Sequence, residues 1–464
     1  MGEIQAVVLT PQAVAALDQA VEQSLGKDRA TFTLRDRATG DILYAYRGEH
    51  LMRPASNMKI ISGAAALEEL GLDYRFQTEL YIDGELGDGM LNGNLYVKGY
   101  GDPTINEATL RHFADMLWQK GIQSINEQLI GDDSYFTGDT LPPGVDDEGE
   151  THYYGARISP ITMSPNDDFD ASTIIVTAES QSVGEPPTFT VIPHLSGHEI
   201  TNEATTVESG AENTLEIRRL NGTNHIVMTG AIPQGESAKV WVSLQNPTVN
   251  TLEFFKVLCE QKGIQFTHAQ PVTVGKVTES AELIYTHESR TVAELFSIFM
   301  KLSNNSIADI VVKTLGELQH GVGDYESGLL VVNDYLMRKN IDFSTWQFVD
   351  GSGLSHGIRL HSNGISQLLF ELQKEPYFEV FFASLPVGGN EDRLIGGTLK
   401  DRFLEPEFTG KIFAKTGYIH EVHCLSGYAT GASGKDYIFS IMLEDCEDGI
   451  PFIDEGLKAI ISAI

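Results

Sequence analysis

The sequence carries Ser56-Asn57-Met58-Lys59, and far downstream it carries Ser303-Asn304-Asn305 and then Lys415-Thr416-Gly417. Each of these stretches on its own is common in chains of this length. What is specific is their order, S-x-x-K, S-x-N and K-T-G, together with the secondary structure predicted around each one. This order and setting decide how the rest of the chain is interpreted.

The first motif lies at the start of a predicted helix. Pro54 precedes it, and apolar residues then recur with helical spacing as far as Leu70. Ser56 and Lys59 are three positions apart and therefore share one face of the first helical turn. A serine needs a nearby base to act as a nucleophile, and a lysine can be that base only if burial or a neighbouring cation lowers its pKa. We expect Lys415 to be that cation.

The other two motifs also lie in secondary structure where a catalytic site could use them. Ser303-Asn304-Asn305 opens a second predicted helix, and Lys415-Thr416-Gly417 closes a short alternating segment, residues 411–414, which predicts a strand. Gly417 would allow a substrate backbone to lie against that strand edge. Taken singly, Ser303 could be an ordinary helix cap and Lys415-Thr416-Gly417 an ordinary strand end. Their joint occurrence favours a catalytic site, with the candidate residues Ser56, Lys59, Ser303, Asn305 and Lys415.

The composition and charge exclude several classes of partner. The 464 residues are 41% hydrophobic and 21% charged, which is typical of a globular protein large enough for two or three domains. The net charge of −33, with no basic stripe, argues against nucleic acid and anionic lipid as partners. The sequence contains no apolar run long enough to span a membrane. The oligomeric state cannot be inferred from these features.

The termini, cysteines and histidines give further expectations. The start, Met1-Gly2-Glu3, lacks the features of a signal peptide, so the protein is either cytoplasmic or has lost its signal. Three cysteines without metal spacing predict buried free thiols. His420 and His423 lie in a predicted loop, so we expect no metal and no cofactor. A C-terminal amphipathic run predicts a core helix, not a membrane anchor; its apolar residues are Phe452, Leu457, Ile460, Ile461 and Ile464.

The spacing of the motifs predicts an interrupted catalytic domain. About 250 residues separate Ser56 from Ser303, which is more than a typical domain of ~100–150 residues. We therefore expect residues 1–75 and 290–464 to form one discontinuous catalytic domain. Hairpins predicted near each end of the chain would give it a single antiparallel sheet flanked by helices.

The intervening segment predicts two further domains. Residues 76–165 and 266–289 mix short strands with helices and predict an inserted α/β domain. Residues 166–265 are mostly strand-like and predict a β-rich domain nested in the inserted one. The fold class is thus predicted to be α+β.

With these residues in view, the chain resembles the class C low-molecular-mass penicillin-binding proteins, the D-alanyl-D-alanine carboxypeptidase/endopeptidase family. The resemblance covers nearly the whole chain. Beyond the three motifs it includes, in order, Gly99–Thr104, Asp132–Phe136, Tyr153–Ala156, Asp350–Ser355, Ser384–Val387 and Leu425–Tyr428.

The resemblance implies a fold and an activity. It implies a penicillin-recognising domain with two nested domains, and an enzyme that removes the terminal D-Ala from peptidoglycan stem peptides, hydrolyses peptide cross-links, or does both. It also implies covalent inhibition by β-lactam antibiotics. Peptidoglycan peptides and β-lactams would then be the partners, and the enzyme would act outside the cytoplasm.

The resemblance further implies a role for each motif residue. Ser56 would form an acyl-enzyme with Lys59 as its base, and Ser303 would relay a proton to the leaving amine. Asn305 would hold the substrate amide, and Lys415 with Thr416 would bind the terminal carboxylate. The oxyanion hole would consist of the backbone N–H groups of Ser56 and Tyr418. Substrate contacts would come from Thr416, Gly417, Tyr418, Asp146, Leu354 and His356.

Two positions depart from the family pattern. The family commonly has a threonine directly after K-T-G, whose hydroxyl helps to hold the carboxylate, and this chain has Tyr418. Some members bind a diaminopimelate side chain with a tryptophan and an acidic residue after Pro-Pro-Gly and with an arginine after Gly-Leu-Ser. Here Asp146 and Asp147 follow soon after Pro142-Pro143-Gly144, and His356 stands directly after Gly353-Leu354-Ser355. Either aspartate could meet an ammonium group, but the full pocket is not evident.

The departures leave alternatives open. A second hypothesis is an esterase, amidase or peptidase of the same fold that acts on a substrate other than peptidoglycan, which Tyr418 would permit. A third is a binding module without activity. Retention of all five candidate catalytic residues argues against the third, because binding alone needs no activated nucleophile. The sequence determines neither the stem-peptide specificity nor the balance between carboxypeptidase and endopeptidase activity.

Overall fold

A computed structural model describes residues 9–195 and 197–464 of the chain. Several helices begin at a residue whose side chain caps the first turn, as Asn106, Asn246 and Thr291 do. Their bounds are α1 (Pro11–Gln19), α2 (Met58–Glu69), α3 (Glu107–Gln119), α4 (Pro247–Lys262), α5 (Val292–Lys301), α6 (Asn305–His320), α7 (Tyr325–Arg338), α8 (Ser362–Leu372), α9 (Phe378–Ser384), α10 (Arg393–Gly396) and α11 (Ile450–Ala463).

The strands are short in the middle of the chain and longer near its ends. Their bounds are β1 (Ala30–Asp36), β2 (Ile42–Tyr46), β3 (Arg75–Ile82), β4 (Glu85–Gly87), β5 (Met90–Asn92), β6 (Leu95–Gly99), β7 (Ser124–Ile125), β8 (Leu129–Asp132), β9 (Thr173–Glu179), β10 (Thr188–Ile192), β11 (Glu199–Asn202), β12 (Thr205–Val207), β13 (Glu216–Arg219), β14 (His225–Thr229), β15 (Ala231–Pro233), β16 (Ser237–Ser243), β17 (Gln265–Phe266), β18 (Val272–Val274), β19 (Glu282–Thr291), β20 (Ile412–Ile419), β21 (Val422–Thr430) and β22 (Asp436–Glu444).

The described chain separates into two units. The first unit contains the residues up to Tyr74 together with Thr291–His320 and Tyr325–Ile464. The second unit contains Arg75–Arg290 and Gly321–Asp324. The finer division of residues 76–289 into a mixed domain and a nested β-rich domain stays a prediction.

The first unit is built on one antiparallel sheet with the order β2-β1-β22-β21-β20. Both predicted hairpins are present, because β1 pairs with β2 and β21 pairs with β22. Strand β1 joins them through β22, in a register that places Phe32 opposite Ile441. Strand β20, which contains the third motif, pairs with β21 in this sheet, and on its other edge the described residues place only a short bridge, in which Val387 lies opposite Phe413.

The two faces of this sheet have different partners. Phe32 and Leu34 point into a core that also contains residues of α1 and α11. The alternate residues Thr33 and Arg35 point the other way and donate hydrogen bonds to residues of α8, since side chains alternate along a strand. Helix α11 is therefore a core helix as predicted, although Phe452 is exposed and the buried residue of that turn is Ile453.

The second unit has several smaller sheets and one shared core. Its largest sheet has the order β18-β8-β6-β3-β19, and in it β6 and β18 pair parallel to β8. Helices α3 and α4 contribute apolar residues to the core. The same core cluster contains residues of β9 and β14 from the β-rich segment, so one continuous apolar cluster serves the whole unit.

Two expectations from composition concern the described residues. Cys259, Cys424 and Cys446 are free and buried, as predicted. Over residues 9–195 and 197–464, no helix is both long enough and apolar enough to cross a bilayer.

Candidate active site

The nucleophile candidate Ser56 lies in a tight turn that leads into α2. A 3-10 turn spans Ala55–Asn57, and Ala55 has a left-handed φ of 45°. The Asn57 side chain fixes this turn to the sheet, because its Nδ2 donates a hydrogen bond to Ser426 Oγ on β21 at 2.7 Å. Helix α2 is apolar and buried on all sides over Met58–Leu67, which anchors the turn firmly in the unit.

Lys59 is fully buried and has three hydrogen-bond partners. Its Nζ lies 2.8 Å from Ser56 Oγ, 2.6 Å from Asn305 Oδ1 and 2.7 Å from the Ser352 carbonyl oxygen. The amide oxygen and the carbonyl oxygen are acceptors only. A neutral amine would therefore give them its two N–H groups and direct its lone pair at the Ser56 hydroxyl.

Burial makes this neutral form accessible. Removal of the ammonium from water lowers the pKa of Lys59 to about 7, while the negative charges of Asp309 and Asp350 oppose the shift. The predicted direction is correct, but the predicted cause is wrong, since desolvation and not Lys415 is the main cause. Lys59 instead acts on Lys415, whose pKa burial and the neighbouring Lys59 charge hold well below its usual value.

Ser303 lies between α5 and α6 in an unusual backbone conformation. Its φ is 57°, a left-handed value that costs a residue other than glycine of order 1–3 kcal/mol and that is concentrated at functional sites. Asn304, and not Ser303, caps α6 by accepting a hydrogen bond from the Ile307 N–H. The Ser303 hydroxyl is thus available to Lys415, whose Nζ donates to it at 2.8 Å.

The strand predicted at 411–414 is present as β20, but it continues to Ile419, so the third motif lies inside the strand and does not close it. Lys415 pairs opposite Ser426 of β21, and its Nζ also donates to the Thr416 carbonyl oxygen. Gly417 also has a packing reason. A Cβ atom there would lie 2.8 Å from the Pro54 carbonyl oxygen, 3.0 Å from Cys424 Cβ and 3.2 Å from Ala55 Cβ, so glycine lets the strand pack against the nucleophile turn. Its contact with the substrate stays a prediction.

Comparison with known proteins shows the family of the chain. The D-Ala-D-Ala carboxypeptidase 3 (S13) family matches residues 13–455 of the chain. A D-alanyl-D-alanine carboxypeptidase of Actinomadura sp. is 34% identical over 415 residues, which are 88% of this chain and 76% of that protein. The chain belongs to this carboxypeptidase family. It is a serine-type D-Ala-D-Ala carboxypeptidase, as the resemblance implied.

Further relatives of this carboxypeptidase agree in sequence and in fold. The D-alanyl-D-alanine carboxypeptidase DacB of Haemophilus influenzae is 24% identical over 88% of this chain and 84% of its own length. The crystal structure of penicillin binding protein 4 from Haemophilus influenzae superposes with a TM-score of 0.82 at 20% identity. The superposition covers 95% of this chain and 98% of the Haemophilus influenzae chain. The predicted α+β fold, a penicillin-recognising domain with insertions, is confirmed.

The predicted substrate-binding residues of the carboxypeptidase lie in several places. Thr416 faces Thr398, with 2.8 Å between their hydroxyl oxygens. Tyr418 follows on the same strand; 62% of its surface is exposed, and its ring lies beside that of His423 with 5.0 Å between centroids. Leu354 is half-buried, and His356 is exposed with its Nδ1 3.2 Å from Arg53 Nη1.

Asp146 belongs to the second unit of the carboxypeptidase. Its Oδ1 accepts a hydrogen bond from the Gly149 N–H at 2.7 Å, so the carboxylate caps the short helical turn at Gly149–Thr151. This contact gives the side chain a local structural role that the sequence did not indicate.

Three groups at the site were not predicted. The Ser352 carbonyl accepts from Lys59, and the carboxyl groups of Asp309 and Asp350 lie close enough to act on the Lys59 charge. A signal for Asp309 exists in the sequence, because it follows Asn305 by four positions and so shares its face of α6. Asp350 begins the Asp350–Ser355 stretch that carried part of the resemblance, although no role had been given to it.

Proposed function

We propose that Ser56 is the residue that becomes acylated and that Lys59 is its general base. The observation that carries this proposal is the set of three hydrogen bonds at Lys59 Nζ, in which two acceptors orient the amine toward Ser56 Oγ. A base whose pKa lies near 7 is well suited to accept the hydroxyl proton at neutral pH.

The other motif residues then have distinct roles in one reaction. Ser56 Oγ attacks the carbonyl carbon between the two D-Ala residues, and its proton moves to Lys59 Nζ. The backbone N–H groups of Ser56 and Tyr418 stabilise the oxyanion, and the Ser303 hydroxyl, which accepts from Lys415, passes a proton to the leaving amine. Water then hydrolyses the acyl ester and regenerates Ser56.

The substrate is held mainly by β20 and α6 in this proposal. Lys415 and Thr416 bind the terminal carboxylate of the peptide. The edge of β20 opposite β21 accepts the peptide backbone beyond Ala414, where its backbone hydrogen bonds to Pro386 and Gly388 end. Asn305 Oδ1 is engaged by Lys59, so the Asn305 amide group is oriented with its Nδ2 as the donor to the substrate amide. Gly417, Leu354 and His356 are proposed as further substrate contacts, as the resemblance implied.

The proposed substrates are peptidoglycan stem peptides, and the enzyme would act where peptidoglycan lies, outside the cytoplasm. The same acylation would make β-lactams covalent inhibitors. In support, a second structure of the Haemophilus influenzae protein is described as a complex with a β-lactam.

A labelling experiment tests the acyl-enzyme proposal. Ser56→Ala should abolish covalent labelling by a fluorescent penicillin, because no other route to the adduct exists. The thermal midpoint should stay within a few degrees, since a lone hydroxyl contributes about 1 kcal/mol. Ser433→Ala, in an exposed turn, is the matched control and should label like the wild type. Mass spectrometry that finds the adduct on a residue other than Ser56 would refute the assignment.

The alternative is an esterase, amidase or peptidase that acts away from peptidoglycan. The exposed Tyr418 favours it, because a tyrosine there lacks the compact hydroxyl of the usual threonine. Turnover of a D-Ala-D-Ala peptide, compared with turnover of an uncharged thioester, distinguishes the two. Rapid hydrolysis of the thioester with no hydrolysis of the peptide would favour the alternative.

A further inference from the structure

Two buried carboxyl groups lie behind Lys59, and the reaction proposed above does not use them. Asp309 is on α6, one helical turn after Asn305, and Asp350 begins the loop formed by residues 350–355, which we call the Ser352 loop. Both side chains are essentially inaccessible to water. Buried carboxyl groups are rare unless partners compensate for the lost hydration, so their partners indicate what they do.

The partners are backbone N–H groups of the Ser352 loop. Asp309 Oδ1 accepts from the Gly351 N–H at 2.9 Å. Asp350 accepts from the Gly353 N–H at 2.6 Å through Oδ1 and from the Ser355 N–H at 2.7 Å through Oδ2. The two carboxyl groups therefore hold three successive parts of one short loop.

The same loop presents its carbonyl groups to α2. The Gly351 carbonyl oxygen accepts from Ser62 Oγ at 2.7 Å, and the Ser352 carbonyl oxygen accepts from Lys59 Nζ at 2.7 Å. Gly353 has a φ of 87°, and a Cβ atom there would lie 1.8 Å from the Ala55 carbonyl oxygen, so the loop touches the nucleophile turn itself. The position of one of the two acceptors that orient Lys59 is thus set by Asp309 and Asp350.

The charges of the groups around Lys59 and the Ser352 loop are linked as well. These groups come from four parts of the unit. They are Lys59 from α2, Asp309 from α6, Asp350 from the Ser352 loop and Tyr325 from the start of α7. Lys415 on β20 interacts with them through Lys59. Burial raises the pKa of Asp350, and the N–H donors of Gly353 and Ser355 and the Lys59 charge oppose that rise. For Asp309, burial first and the Asp350 charge second raise the pKa, and the Gly351 N–H and the Lys59 charge oppose that rise. The charge on Asp309 and the charge on Lys59 are therefore linked.

We propose that Asp309 and Asp350 are positioning residues for acylation, which fix the Ser352 carbonyl against Lys59 and set the basicity of Lys59 through the charge state of Asp309. The proposal rests on the role of Lys59 as the base in the function proposed above. A negative charge on Asp309 stabilises the Lys59 ammonium and so raises its pKa. Loss of that charge lowers the pKa of Lys59, and the neutral amine then persists to lower pH.

The test is the pH dependence of Ser56 acylation by a fluorescent penicillin in three variants of the full chain. Asp309→Asn keeps an oxygen for the Gly351 N–H but has no charge. We expect the acidic limb of its acylation profile to move to lower pH by about half a unit or more. Asp309→Ala should show the same shift and also a plateau lowered roughly tenfold or more, because the Ser352 carbonyl is no longer fixed. Asp334→Asn, exposed on α7, is the matched control and should leave the profile unchanged.

The outcomes separate this inference from the proposed function. An acidic limb in Asp309→Asn that coincides with that of Asp334→Asn overturns the linkage, and equal plateaus for the Asn and Ala variants overturn the positioning role. If either Asp309 variant fails to fold, the wild-type profile decides. Linked titration of Lys59 and Asp309 spreads the limb beyond the width of a single-proton curve, whereas a single-proton limb refutes the linkage. Failure of the proposed function would instead show as a wild-type adduct on a residue other than Ser56.

Discussion

Buried cations occur in both units of the molecule, and their surroundings differ in a way that separates catalysis from structure. In the second unit the Arg219 guanidinium is surrounded by acceptors. It donates to the carbonyl oxygens of Leu220, Thr223 and Ser243 and to Gln245 Oε1, and it lies 3.3 Å from the Glu150 carboxylate. In the first unit the Lys59 amine instead contacts a hydroxyl, an amide oxygen and a carbonyl oxygen.

This difference explains how each cation behaves. A guanidinium with a full set of acceptors and a direct carboxylate partner stays charged and holds distant segments together. An amine with only neutral direct partners loses hydration without a compensating ion pair, so its neutral form becomes accessible near pH 7. Burial by itself therefore does not mark a catalytic cation, whereas burial with neutral direct partners that include a hydroxyl does.

The largest expected effect is at Lys59. Lys59→Met keeps the length of the side chain and removes the base, so penicillin acylation of Ser56 should fall by ~10²–10⁴-fold. The thermal midpoint should change by only a few degrees. Methionine removes the free-energy cost of burying an amine. It also leaves the Asn305 and Ser352 oxygens without a donor, which costs about 1–3 kcal/mol each. Lys374→Met, at a lysine side chain that is 54% exposed, controls for loss of one positive charge. Acylation within tenfold of the wild type would contradict the comparison.

The opposite pattern is expected at Arg219. Arg219→Met leaves the Glu150 carboxylate without its buried partner and should lower the free energy of unfolding by about 3–5 kcal/mol. Acylation of Ser56 in the folded protein should be unchanged, because the contacts of Arg219 lie within the second unit. The adjacent Arg218→Met, at a side chain that is 41% exposed, is the matched control and should have little effect on unfolding. A large loss of acylation in Arg219→Met with normal stability would show that Arg219, like Lys59, serves catalysis, and this would contradict the comparison.

An intermediate case would sharpen the comparison. Lys301 is buried and donates to the carbonyl oxygens of Leu385 and Ile395, the latter at 2.8 Å, and burial lowers its pKa to about 8. No hydroxyl nucleophile appears among these partners. Lys301→Met should therefore lower the free energy of unfolding by about 1–3 kcal/mol and reduce acylation only a few-fold, through the nearby Ser303. Urea unfolding and penicillin labelling, again with Lys374→Met as the control, measure the two effects.

Much of the first unit was predictable because its signals are local. The helix after Ser56, the two hairpins and the placement of Lys415 on a strand follow from periodicity and turn residues within a few positions of each other. The cause of the low Lys59 pKa was not predictable in this way. It depends on how completely helices distant in sequence exclude water from one amine, and no local pattern records that.

Other misses have the same origin. The packing role of Gly417 was not predicted, because the atoms that exclude a Cβ there include those of Pro54 and Ala55, more than 360 positions earlier in the chain. No role was predicted for Asp309, because its partner Gly351 lies in a different segment. In the second unit the parallel pairing of β6 and β18 with β8 is likewise a choice of partner that short-range patterns do not specify.

The pairing of β1 with β22 has a consequence for the synthesis of the enzyme. On the ribosome β1 and β2 emerge early, but the other neighbour of β1 is made about 400 residues later, and non-local pairing of this kind slows folding. The nascent chain must carry an unpaired strand edge and an unassembled Ser56 turn until residues 436–444 have emerged. A chain that stops short of them would keep its serine and lysine but would lack the strand that completes the sheet beneath them. Activity therefore arises only in molecules whose last strand has been synthesised.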